Sequence, residues 1–179
     1  TINFLGIARN MGFKKTSDLI AVSFGLEESA ANTFTQEEIA LQLDVLNNEI
    51  FVVLAVDINL TAPDLVGGTS TATSGSVTST SQTALQNLSN SNTIAQAQLA
   101  IRGDVAQPSA AVAFQRAAEE SYTGMLDYTA LISTNNFFVQ VQGNGNAVAK
   151  GIVGRVYGYR ARADASTYAA LVQSEVLSA

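Results

Sequence analysis

The chain of 179 residues contains no histidine, no cysteine and no tryptophan, and only two prolines. Without histidine or cysteine it has no imidazole base, no thiol nucleophile, no disulfide and no zinc site of the common nitrogen–sulfur kind. Charge is scarce as well: Lys, Arg, Asp and Glu make up 13% of the residues, about half the share of an ordinary soluble domain. Interface cores are depleted in charge, whereas a lone chain needs charge to stay dispersed. The shortage therefore predicts a subunit surrounded by copies of itself. Acidic residues outnumber basic ones 15 to 9, giving a net charge of −6 and a pI near 4.5. Strong direct nucleic-acid binding depends on Lys and Arg neutralising phosphates, so it is not expected. The longest apolar run, residues 50–56, is too short for a transmembrane segment. The first residues lack the basic-then-apolar pattern of a signal peptide, and a leader already removed would leave no trace.

Enough apolar material is present for a core, 47% of the chain, which excludes disorder as the global state. Residues 19–24 form a β-favouring run. In 39–45, Ile39, Leu41, Leu43 and Val45 alternate with Gln42 and Asp44. These four period-two matches outnumber the three (Ile39, Leu43, Leu46) that a helix behind the capping-box pattern Thr35-Gln-Glu-Glu38 would align, so a strand is predicted. Residues 46–49 read as a turn that makes a hairpin with 50–60. That second strand begins as a continuous apolar run, buried on both faces, and ends in alternation at Val56, Ile58 and Leu60. Val53, Val56 and, further on, Phe137 are expected in the core.

From Thr69 to Thr93, 14 of 25 residues are Ser or Thr, and 65–93 reads as a surface excursion, part of it pairing at an exposed edge. A strand over 95–101 follows, then a short Ala-rich helix over 110–122 and a strand over 125–133. Residues 137–142 and 148–162 form a second predicted hairpin about Gly143-Asn-Gly-Asn146, where Gly and Asn tolerate positive φ. Gly151, Gly154 and Gly158 in the return strand predict bulges or close backbone approach. The segment 165–178 reads as a helix behind an Asp164 or Ser166 cap, with Tyr168, Leu171, Val172 and Val176 on one face. Seven or eight strands without a βαβ alternation predict a mainly β chain, an antiparallel β-sandwich or jelly-roll barrel with a short C-terminal helix. One domain is expected to span 1–179.

No catalytic set emerges, and neither an enzyme activity nor a cofactor is expected. The pairs Glu27-Glu28, Glu37-Glu38 and Glu119-Glu120 diverge in regular structure, whereas acid–base chemistry needs two carboxyls converging across a cleft. Asp57, Asp64 and Asp127 lack the spacing of a calcium loop, and no metal site is assigned. Arg102-Gly103-Asp104 has the composition of an ordinary turn. Asn59-Leu60-Thr61 and Asn87-Leu88-Ser89 match the N-glycosylation acceptor, usable only in a secretory pathway. Gly143-Asn-Gly-Asn146 precedes a strand rather than a helix, so it is no nucleotide loop. Lys150, Arg155, Arg160 and Arg162 gather positive charge on the last strand. Inter-subunit contacts are expected from Arg155, Arg160, Arg162, Tyr168, Leu171, Val172 and Val176.

The order of elements resembles the small jelly-roll capsid proteins of tailless icosahedral viruses, particularly short single-barrel coat proteins. The resemblance is carried by the pairs 39–45 with 50–60 and 137–142 with 148–162, and by the terminal segment 163–179. It is one of pattern over roughly 18–179, with no fixed motif and no functional residue to carry over. It implies a self-assembling shell subunit in the virion, partnered by copies of itself with or without a second coat protein. The basic genome-binding arm is missing, so genome contact would be indirect. Two other classes fit the residues: a secreted carbohydrate- or surface-binding β-sandwich module, with Tyr157 and Tyr159 as a platform, and a homopolymeric filament subunit exchanging 1–13 or its tail as a strand.

Overall fold

The apolar run and its alternating end form one strand, β4 (Glu49–Leu60), around which the fold is organised. In the computed structural model, which describes residues 12–116 and 126–178, β4 lies inside an antiparallel sheet ordered β2–β10–β4–β8. Its partners are Ile20–Glu27 (β2), Gly151–Ala163 (β10) and Ala130–Ile132 (β8). The short β1 (Phe13–Lys15) continues the line of β2 along β10. A second antiparallel sheet runs β3–β9–β5–β6–β7, from Thr35–Ala40, Asn136–Asn144, Thr71–Thr78, Thr93–Asp104 and Gln107–Arg116. Successive strands β2 and β3, β4 and β5, and β9 and β10 lie in opposite sheets. The sandwich therefore has the interleaved pairing of a jelly roll, with β7 added at one edge. Between the sheets sit Phe24, Phe51, Val53, Ile58, Val77, Ile132, Phe137, Val139, Val141, Ile152 and Val156, all buried. One helix, α1 (Ala165–Leu177), follows β10 directly, and Asp164 caps it by accepting from the Thr167 amide at 2.7 Å.

This topology corrects both predicted hairpins. β3 pairs with β9, and β4 pairs with β10 and β8, so the turn after β3 crosses between sheets. Residues 143–150 likewise join strands of opposite sheets. Alternation identifies a strand but not its partner, and a half-buried strand can face the same core from either sheet. The first of these strands also begins earlier than its apolar pattern, at Thr35, and ends at Ala40, because Asn135 takes over beyond it. The backbone carbonyl of Asn135 accepts from the Leu41 amide and its side chain from the Leu43 amide. The Ala-rich stretch is no helix as far as residue 116; it is β7, in a hairpin with β6, where ladder pairing overrides a modest helix propensity. The rest of that expected helix, and Met125, fall outside the described residues.

The Ser/Thr-rich segment divides in two. Residues 71–78 are not a surface excursion but β5, a central strand with Thr71, Thr73, Ser76 and Thr78 buried. Residues 79–92 are the loop, folded over the outer face of the second sheet. There Gln36 donates to Ser81 Oγ at 2.9 Å and accepts from the Gln82 amide at 2.8 Å. Beneath the loop, the fully buried Gln140 donates to Gln36 and Thr78 and accepts from Ser76 Oγ. Threonine and serine can serve this central strand because the Thr71, Ser76 and Thr78 hydroxyls each find an acceptor, although the buried Thr73 hydroxyl has none among the described residues.

A bulge decides which side chains β4 buries. Ala55 stands opposite Tyr157 and Val53 opposite Gly158, so Leu54 is the extra residue. After it in the chain, odd-numbered residues face outward; ahead of it, Val53 and Phe51 turn into the sandwich while Ile50 and Val52 turn out. Those outward residues are nevertheless fully buried, forming with Ala161 and Ala163 a patch covered by Tyr168 and Leu171 of α1 and by Phe13, Tyr128, Leu131 and Tyr159. The continuous apolar run is thus covered on both faces by different elements. The glycines of β10 answer to close approach. A methyl at Gly154 would meet the Asp57 carbonyl at 2.1 Å and the Phe24 ring at 2.6 Å, and one at Gly158 the Val52 carbonyl at 2.2 Å and the Phe51 ring at 2.6 Å.

Candidate interaction surface

The seven residues expected at subunit contacts separate into two groups. Tyr168 and Leu171 are half-buried and pack on Ile50, Val52, Ala161 and Ala163 of their own sheet. Arg160 faces inward past the sheet end, where its guanidinium donates to the Leu41 carbonyl at 3.2 Å and lies 3.8 Å from Glu49. Exposed are Arg155, opposite Asp57 and Ser23 on the outer face of the first sheet, Arg162 at the β1 end, and Val176. Val172 lies at the helix margin, half-buried.

Sequence reasoning missed Glu175. It is buried, and its two carboxylate oxygens accept from the Ser133 amide at 2.7 Å and the Thr134 hydroxyl at 2.9 Å. Asn92 donates to the Glu175 carbonyl at 3.1 Å, tying the end of the helix to the far loop. The inward face of α1 is therefore Tyr168, Leu171 and Glu175, spaced i, i+3 and i+7. Spacing alone offers this face, but a carboxylate is assigned to it only once the donors in the turn after β8 are known.

A second cluster went unread, at the opposite end of the sandwich. Glu28 is buried and accepts from the Gly143 amide at 2.5 Å and the Lys150 amide at 2.8 Å. Asn32 and Asn146 exchange hydrogen bonds at 2.8 and 2.9 Å, and Asn146 also engages the Asp64 amide and the Ala72 carbonyl. Lys150, almost wholly buried, places its ammonium 2.6 Å from Asp64, which also accepts from the Ala147 and Val148 amides. Each charge has a partner, as a buried charge must. The cluster is a clamp that fixes the 143–150 crossing, and it absorbs Lys150.

The Lys150 ammonium, and then the two amides, hold the Asp64 carboxyl below the usual carboxylate range against the opposing effect of burial. A carboxyl lowered on folding adds stability that is complete above its unfolded value, near pH 4, and is lost as pH falls through the folded value. Melting temperatures measured from neutral pH downward should fall below about pH 4. Asp64→Asn should melt lower at neutral pH and lose part of that acid dependence; an unchanged acid slope would show that the clamp contributes none of it.

Beside the clamp lies an apolar rim. Leu65 is 72% and Val105 83% exposed, with Val66 and Val148 also in solvent. The three loops that carry them adjoin, because Asp64 binds the Val148 amide and Gly68, at φ +73°, brings its loop against Val105. A recess of about 270 Å³ opens there between Leu65, Val66, Pro108 and Ala110. Arg102-Gly103-Asp104 ends β6 at this rim. Gly103 is required because a methyl would strike the Thr69 backbone at 2.6 Å, and Asp104 accepts from the Ala106 amide as a turn residue.

Among the described residues no three Asp, Glu, His or Cys side chains gather as metal ligands, and no helix is long and apolar enough to cross a membrane. Tyr157 and Tyr159 share the outer face of β10 as expected, but both are half-buried. Tyr159 packs beside α1 with the Lys15 ammonium 5.0 Å from its ring centre, and burial, then the charge of Asp127, raise its phenol pKa.

No protein-family model matches the chain, and no curated protein matches it by sequence. Among solved structures it is similar to a chain of Desmodium yellow mottle tymovirus. The two share 12% identity over 86% of this chain and 93% of that one, with a TM-score of 0.30.

Proposed function

We propose that this chain is a structural subunit that assembles with copies of itself into a viral protein shell, with or without a second coat protein. The observation that carries the proposal is the apolar rim of Leu65, Val66, Val105 and Val148 at one end of a charge-poor jelly roll. Large apolar side chains gathered on a rigid loop cluster mark a contact surface. Burying each is worth about 1.5–3 kcal/mol before the costs of association, and many identical contacts in a closed assembly reinforce one another. Arg155, Arg162, Val172 and Val176 supply further contacts from the outer face and the helix. Jelly rolls also build lectins and cupins, so the proposal rests on the rim and the missing charge rather than on the fold. Genome contact in such a shell is indirect, given the net negative charge.

Light scattering and electron microscopy of the purified protein should show large uniform particles. Leu65→Glu with Val105→Glu should give dispersed subunits with an unchanged melting temperature, since both positions are exposed. A wild-type chain that stays monomeric, or a double variant that builds normal particles, would overturn the proposal.

A further inference from the structure

The outer face of the second sheet carries neutral hydrogen-bonding groups in register. Gln142, Ser74 and Gln98 lie side by side across β9, β5 and β6, and Gln140, Ser76 and Gln96 form the next row. Gln140 and Ser76 are consumed by the network beneath the 79–92 loop. Ser74, Gln96, Gln98 and Gln142 make no side-chain hydrogen bond among the described residues. The loop ends that network short of them and leaves a cleft of about 180 Å³ between its residues Leu85, Gln86 and Asn87 and the shelf of Ser74, Gln96 and Gln98.

We propose that this cleft binds a single ring of a neutral sugar. Each free glutamine amide offers two donors and an acceptor, and the serine hydroxyl one donor and two lone pairs. That set matches vicinal hydroxyl groups, which donate and accept at once. None of the residues lining the cleft carries a charge, so it selects neither an anion nor a cation. Leu85 supplies an apolar contact for the C–H face of a ring. The walls are fixed in advance. The shelf stands on paired strands, and the loop is braced where Gln86 accepts from Asn90 at 3.0 Å, Asn87 accepts from the Ser89 amide at 2.9 Å, and Asn92 donates to Thr80 at 3.0 Å. Polar groups on rigid elements lose little freedom on binding, which favours even a small, shallow site. The cleft shares no residue with the apolar rim, so the proposal does not depend on assembly.

Saturation-transfer NMR, which observes the ligand and works for subunit and particle alike, tests this with a panel of neutral methyl hexopyranosides. At least one should receive saturation from the protein. Gln96→Leu with Gln98→Leu keeps the side-chain bulk, and these shelf positions lie outside the core. It should weaken that binding about tenfold or more, the scale of two lost hydrogen bonds, without changing the melting temperature. Glucuronate is the charged comparator, because Arg116 stands opposite Gln98 in register. No transfer to any neutral glycoside, transfer undiminished in the double variant, or a clear preference for glucuronate would each overturn the proposal.

Discussion

Replacing Val53 by aspartate is expected to leave no soluble folded protein. Val53 has no exposed surface; it sits on β4 between β10 and β8, immediately before the Leu54 bulge that sets its side chain into the sandwich. It shares one buried cluster with Phe51, Ile132, Phe137 and Val156, none of which can donate a hydrogen bond from its side chain. An aspartate there must stay charged without a partner or take up a proton, and either costs several kcal/mol. A domain of this size has about 5–15 kcal/mol in total. Val153→Asp is the control, since Val153 is 54% exposed on the outer face of β10 and should tolerate the same side chain. Soluble yield and a circular-dichroism melt decide the matter. A Val53→Asp chain melting like the wild type would remove Val53 from the core.

Val53 also shows what could be read from sequence. The apolar run from Ile50 announced a strand buried on both faces, and Val53, Val56 and Phe137 were expected inside; the first and last are fully buried and Val56 packs against the same cluster. The bulge that permits inward-facing residues on both sides of Leu54 leaves no mark in the pattern, because the residues around it are all apolar. Partner choice was equally hidden. β3 and β4 follow one another but lie in different sheets, and only the clamp of Glu28, Asn32, Asp64, Asn146 and Lys150, drawn from three separated segments, shows how a comparable crossing is held. Such clamps join residues about 115 positions apart, as Glu28 and Gly143 are, and no local spacing encodes them. The exposed rim was unread for a different reason: Leu65, Val66, Val105 and Val148 come from three loops and become neighbours only once the sheets form.

Deleting the helix from residue 165 onward is expected to destabilise the subunit itself, not only its assembly. The sequence assigned Tyr168, Leu171, Val172 and Val176 to contacts with a neighbouring copy, and the packing gives the first two a role within the subunit. Tyr168 and Leu171 of α1, together with Phe13, Tyr128, Leu131 and Tyr159, cover Ile50, Val52, Ala161 and Ala163, of which Ile50 and Val52 have no exposed surface. At roughly 25 cal/mol per Å² of apolar area, uncovering this patch costs several kcal/mol, enough to lower the melting temperature by about 10 °C in a chain of this size. Glu175→Ala should have a smaller effect of the same sign, about 1–3 kcal/mol, because it strands the buried Ser133 amide and frees the Thr134 hydroxyl. Val176→Asp isolates the outward face: Val176 is 60% exposed, so the subunit should melt unchanged while any contact that uses the helix is weakened. Thermal melts of the three variants, paired with light scattering, separate the two roles. If the truncated chain melts like the wild type, the helix does not belong to its own core; if Val176→Asp also leaves particle size untouched, the outer face of α1 is no contact surface.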